Sequence, residues 1–86
     1  MNVKQDILAF IVGSTMGNNG IVVEVLGPSL GNSVPAGFCY TECGQNFTRE
    51  DEGFRWLVQS IGTPMTINSG RKLMIRPISD ACLRPI

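Results

Sequence analysis

The chain contains no histidine, which removes the commonest general base and both the Ser–His and Cys–His nucleophile pairs. Carboxylates are the only acid–base option left. Charge is scarce as well: 16% of residues are charged, and seven Lys plus Arg balance seven Asp plus Glu. That balance lacks the high net charge of a disordered segment and the basic excess of a general polyanion binder. No apolar window approaches the roughly 18 residues of a membrane span. The run Ile7 to Val12 is too short for a secretory core followed by a cleavage site. A soluble protein of the cytoplasm, without membrane contact, is expected. Cysteine is limited to Cys39, Cys43 and Cys82, an odd count that argues against a secreted disulfide framework and for reduced thiols.

What is present describes one small domain over residues 1–86: 43% hydrophobic residues and a mean hydropathy of +0.13. At roughly 0.05–0.15 kcal/mol per residue, such a domain is stable by about 4–13 kcal/mol.

The strongest periodic signal is strand-like, because short runs rich in Ile, Val and Phe are each closed by Gly, Pro or Asn. Ile7 to Val12 and Ile21 to Leu26 read as neighbouring strands joined by an uncharged polar loop. Gly20, after Asn19, suits a turn that needs positive φ. Gly27-Pro28 ends the second strand, and Ser29 to Gly37 reads as a mobile surface loop. Phe38 to Cys43 alternates as a third strand, closed by Gly44 and Asn46. Thr48 to Ile61 has both a capping-box pattern, Thr48 with Asp51, and strand alternation through Phe54, Trp56 and Val58. Gly53 in the first helical turn tips the reading to strand. Met65 to Asn68 and Lys72 to Ile75 form the last hairpin. Pro77 to Ala81 reads as one helical turn, capped by Ser79 or Asp80, ahead of a terminal strand Cys82 to Ile86. The expected fold is therefore mostly β, with five or six short antiparallel strands. They cannot form a flat open sheet with a covered core, so partial closure into a small barrel follows.

The span Phe10 to Leu26, a strand, a polar loop with Gly20 and then Ile21-Val22-Val23-Glu24-Val25, resembles the KOW-type hairpin of SH3-like barrels. Phe54-Arg55-Trp56-Leu57-Val58 and the ending Ile78 to Ile86 resemble small uncharacterised phage and prophage proteins. These carry an Asn-Asn-Gly turn, a central Trp strand and a Leu-Arg-Pro-Ile terminus. The likeness covers about half the chain, in three pieces. It implies an SH3-like, partly open barrel and a phage-type accessory protein working in the cytoplasm of a bacterial host. KOW-bearing proteins usually place Lys or Arg around the Gly turn, whereas Ser14 to Gly20 holds no charge.

No residue set supports catalysis, a cofactor or a metal. Cys39 and Cys43 lie four apart, on one face of an extended strand, but zinc needs four ligands and only Cys82 remains. Two buried small hydrophobes and one surface thiol are expected instead. Glu50-Asp51-Glu52, flanked by Arg49 and Arg55, reads as a solvated acidic loop. Trp56 is expected in the core, with Arg55 and Leu57 facing the other way.

Charge is divided along the chain. Residues 1–53 carry six acids against Lys4 and Arg49, a balance of −4, and residues 54–86 carry five bases against Asp80, a balance of +4. Kept apart in space, these make a dipolar surface suited to a directional partner or to self-association. The function expected is stoichiometric binding to a host protein, inhibiting a defence or regulatory complex. The contacts would be Asn32 in the Ser29 to Gly37 loop, the acids Glu50, Asp51 and Glu52, and the Arg71-Lys72 turn. The rival is nucleic-acid binding through Arg71, Lys72, Arg76 and Arg84; a third reading is a structural virion component or homo-oligomer.

Overall fold

The computed structural model describes residues 1–49, 51–67 and 69–86. Five strands form one antiparallel sheet: β1 (Leu8–Ile11), β2 (Val22–Pro28), β5 (Arg55–Ser60), β8 (Ile75–Ser79) and β9 (Leu83–Pro85), in the order β8-β5-β2-β1-β9. Two hairpins are inserted between paired strands of this sheet, and each pairs only with itself. One is β3 (Cys39–Glu42) with β4 (Gln45–Thr48), between β2 and β5; the other is β6 (Met65–Thr66) with β7 (Lys72–Leu73), between β5 and β8. Two 3-10 helices, Leu30–Ser33 and Asp80–Cys82, complete the fold. Expecting all strands in a single wall was too simple. Pairing leaves β8 and β9 as edges, and among the described residues no ladder joins them into a closed barrel.

Strand alternation places the core. Ala9 and Ile11 of β1, Val23 and Val25 of β2, Val58 of β5 and Leu83 of β9 are all buried on the inner face, with Met65, Ile78, Trp56 and Val3 packed against them. In β2 the register shifts between Val25 and Gly27. This bulge lets the strand run on through Gly27 to its end at Pro28, where the sequence suggests a stop after Leu26. The ambiguous segment resolves as strand from Arg55 onward. The Asp51 carboxylate accepts the Gly53 N–H at 3.0 Å, a local turn that competes with helix formation. Trp56 is in the core as expected. Its indole N–H donates to Asp80 at 2.9 Å and its ring meets Phe54 edge-on at 4.9 Å.

Four expectations are corrected. Ser29 to Gly37 is not merely a loop: Ser29 and Gly31 are buried, and the first 3-10 helix is capped by the Ser29 hydroxyl, which accepts the Gly31 N–H. Asn46 does not close a strand but belongs to β4. Cys43 and Gly44, with φ of 52° and 75°, form the two-residue turn before it, the left-handed geometry that a tight hairpin requires. Pro77 lies in strand β8, opposite Leu57, so the helical turn begins only at Asp80. Finally, two thiols instead of the expected one lie at the surface: Cys39 and Cys43 are exposed and Cys82 is half-buried. Cys43 sits in the turn and not on the strand face. Asn68, expected to end a strand, lies outside the described residues.

Candidate functional site

The residues expected to form one contact surface divide into two groups. Asn32 sits in the first 3-10 helix, half-buried, and its side-chain amide clamps the start of β5. Its Oδ1 accepts the Arg55 N–H at 2.8 Å and its Nδ2 donates to the Arg55 carbonyl at 3.0 Å. Asp51 and Glu52 are exposed in the loop before β5, and Glu50 lies outside the described residues. Arg71 and Lys72 are exposed on the β6–β7 hairpin, where Lys72 pairs with Thr66.

Two buried cations went unrecognised in the sequence. Arg49 is 6% exposed and its guanidinium donates to the carbonyls of Gly31, Val34, Asp51 and Gly53. It thereby ties the Asn32 helix to the Asp51 loop. Arg55 is 8% exposed, and its Nη1 donates to the Tyr40 hydroxyl of β3 at 3.2 Å. Glu42 is buried too. Its carboxylate accepts the Ser29 hydroxyl at 2.6 Å and the Leu30 N–H at 2.9 Å, at the start of the 3-10 helix. These three groups are structural pins for the insertion, and a linear charge count has no means of separating them from surface charges.

Two concavities adjoin Arg55. A small one of about 160 Å³ is lined by the Gly13 to Met16 loop, Asp51, Arg55, Arg76 and Cys82, among others. A larger cleft of about 420 Å³ lies between the two hairpins. Gln45 to Thr48 of the first and Ile67, Ser69, Arg71 and Leu73 of the second line it, together with Arg55 and Arg76. Arg76 donates to the Thr66 carbonyl at 2.8 Å. Among the described residues, no group of three or more His, Cys, Asp or Glu gathers as a metal site.

The outer face of the sheet sets apolar side chains beside the exposed Glu24, Gln59 and Arg84. Leu8 and Phe10 point outward from β1; Leu8 pairs with Glu24, and Phe10 with Val22 on one side and Arg84 on the other. Ile86 bonds to the Leu8 carbonyl and Ile61 to the Val22 carbonyl, so both extend these cross-strand rows. Leu8 is 47%, Val22 37%, Ile61 60% and Ile86 73% exposed. An open depression of about 580 Å³, lined by Asn19, Gly20, Ile21, Val22, Ile61 and Thr63, continues the face at one end.

The titration of Asp80 is displaced. Partial burial raises its pKa, but N–H donors from Asn2, the Trp56 indole and Val3 outweigh it and hold the carboxyl below its ordinary 3.8. Among the described residues no helix is long and apolar enough to cross a membrane. In comparisons with known proteins, no family model, no curated protein and no solved structure matches the chain.

Proposed function

We propose that the chain is a non-catalytic, SH3-like binding domain that acts stoichiometrically on a partner protein through the outer face of β1, β2 and β9. Exposed Ile86 and Leu8 in one cross-strand row and Val22 and Ile61 in the next, with Glu24 and Gln59 continuing the first row and Arg84 ending the second, carry this reading. A contiguous apolar patch with a polar rim is the usual anatomy of a protein interface. The SH3-like reading is supported by the return of β9 to pair with β1 directly after the 3-10 helix Asp80–Cys82. Binding by the face is favoured over strand addition, because each edge strand carries a proline, Pro77 in β8 and Pro85 in β9, which removes an N–H from the ladder. The partial likeness to phage and prophage proteins makes a bacterial host protein the expected partner.

The nucleic-acid reading has less support. Arg71 and Arg76 line the cleft, Lys72 stands on β7, and Arg84 lies on β9, at the opposite edge of the sheet from β8. Such scattered cations make no continuous phosphate track.

The test compares the wild type with Ile61→Lys and Ile86→Lys as immobilised baits for a bacterial lysate. One protein should be retained in a saturable manner by the wild type and at least about tenfold more weakly by each variant. Equal retention by the variants, or no specific protein on any bait, sinks the proposal. Light scattering at several concentrations identifies the remaining case, in which the partner is a second copy of the chain.

A further inference from the structure

Two opposite charges of the outer face lie diagonally across β1. Glu24 on β2 belongs to the row of Leu8 and Ile86, and Arg84 on β9 to the row of Phe10 and Val22. The midpoint between them falls over Ala9, whose own side chain is buried in the core. We infer that, while no other partner is bound, this face is covered by a second copy of the chain in a two-fold dimer, with Glu24 of each copy against Arg84 of the other. The inference rests on the reading of this face as the binding surface and adds what covers it in the free protein.

The diagonal fixes one symmetry operation. Strands lie about 4.8 Å apart and same-face residues about 6.8 Å apart along each strand. A two-fold axis parallel to the sheet, passing over Ala9 at right angles to the line from Glu24 to Arg84, lays a second copy on the first and superposes each Glu24 on the opposite Arg84. On those spacings the same rotation sets Val22 against Phe10 of the other copy and Leu8 against its Ile86. Charge therefore meets opposite charge in the same pose that brings apolar side chains together, the self-complementarity that an isologous interface requires. Glu24, Leu8, Val22 and Ile86 are exposed and Phe10 is half-buried. The Arg84 Nη1 donates to the carbonyls of Ala81 and Leu83, at 3.1 and 2.8 Å, which holds the guanidinium at the β9 edge before a second copy arrives.

The size of the face sets the strength of the dimer. β5, β2, β1 and β9 give it a width of four strands, and the matched side chains occupy two rows. At the spacings above this amounts to a few hundred Å² on each copy, short of the roughly 800 Å² per partner of a standard interface. The dimer is accordingly weak and reversible. It shields Leu8, Val22 and Ile86 from indiscriminate contacts, and a protein partner that covers more surface displaces it.

The test is sedimentation equilibrium of the chain alone from about 10 µM to about 1 mM, with a thiol reductant so that the exposed Cys39 and Cys43 cannot cross-link. A monomer–dimer equilibrium is expected. Glu24→Arg and Arg84→Glu, both changes at exposed side chains whose folding is checked by far-ultraviolet circular dichroism, should each weaken it at least about fivefold, because each sets two pairs of like charges together. An equimolar mixture of the two variants should recover wild-type association, because both cross pairs are then opposite in sign. A monomer at every concentration overturns the dimer and leaves the partner reading to the lysate experiment. Association beyond the dimer, equal association by the single variants, or a mixture that fails to recover it also overturns the assignment.

Discussion

Arg49 and Asp80 show how individual side chains hold a domain with so few charges. Arg49 spends its donors on four backbone carbonyls in the insertion, so its buried charge is matched by carbonyl dipoles. Asp80 does the complementary work, accepting N–H groups from the segment before β1 and from Trp56. Because its folded pKa lies below the ordinary value, Asp80 contributes stability that is fully present above about pH 4 and is lost as the pH falls through the lower, folded value. Asp80→Asn should therefore destabilise the chain by roughly 1–2 kcal/mol at neutral pH, a modest figure because the site is partly solvated. Urea midpoints of wild type and variant should converge in acid. A constant gap across the titration would assign the loss to packing instead.

Among the elements, the insertion between β2 and β5 is the least ordinary. The first 3-10 helix and the β3–β4 hairpin are locked together where Gly31 meets Tyr40. A Cβ on Gly31 would stand 2.6 Å from the Tyr40 Cζ and Oη atoms, inside any tolerable contact. Gly31→Ala should displace the Tyr40 ring, break its bond to Arg55 and cost roughly 1–3 kcal/mol. The near-ultraviolet circular dichroism of the sole tyrosine and Trp56 would change with it. An unaltered spectrum and midpoint would mean that the hairpin moves away without resistance. Little of this was legible beforehand. β1, β2 and β5 announce themselves through Ile-Val-rich runs, whereas β4, Gln45–Thr48, has one apolar residue, Phe47, and is a strand only because Cys43-Gly44 turns the chain back onto β3. In the same way, Asn32 has the look of an exposed contact in a loop, and only the fold shows that it grips the backbone of Arg55.

For the whole molecule, stability rests on the central strands. Leu83, fully buried on the last strand, seals the core against Ile11. Leu83→Ala should cost about 2–5 kcal/mol, a large part of the total expected for a chain of this size. Hydrogen exchange should be slowest in β1, β2 and β5, each paired on two sides in the sheet, and fastest in the two-residue strands β6 and β7. Protection in the β6–β7 hairpin equal to that of β2 would contradict this ranking.

The amino-acid sequence by itself determined the β class, the placing of β1 and β2, the strand at Arg55–Ser60 and the core position of Trp56. These follow from alternation and side-chain shape, which act over a few neighbours. Tertiary structure alone decided that Arg49, Arg55 and Glu42 are buried and that Arg55, Arg71 and Arg76 line one cleft. It also decided that Leu8, Val22, Ile61 and Ile86 share one outward face. Each of those outcomes depends on which segments the chain brings together across long separations, and pairing of that kind leaves no local pattern to read.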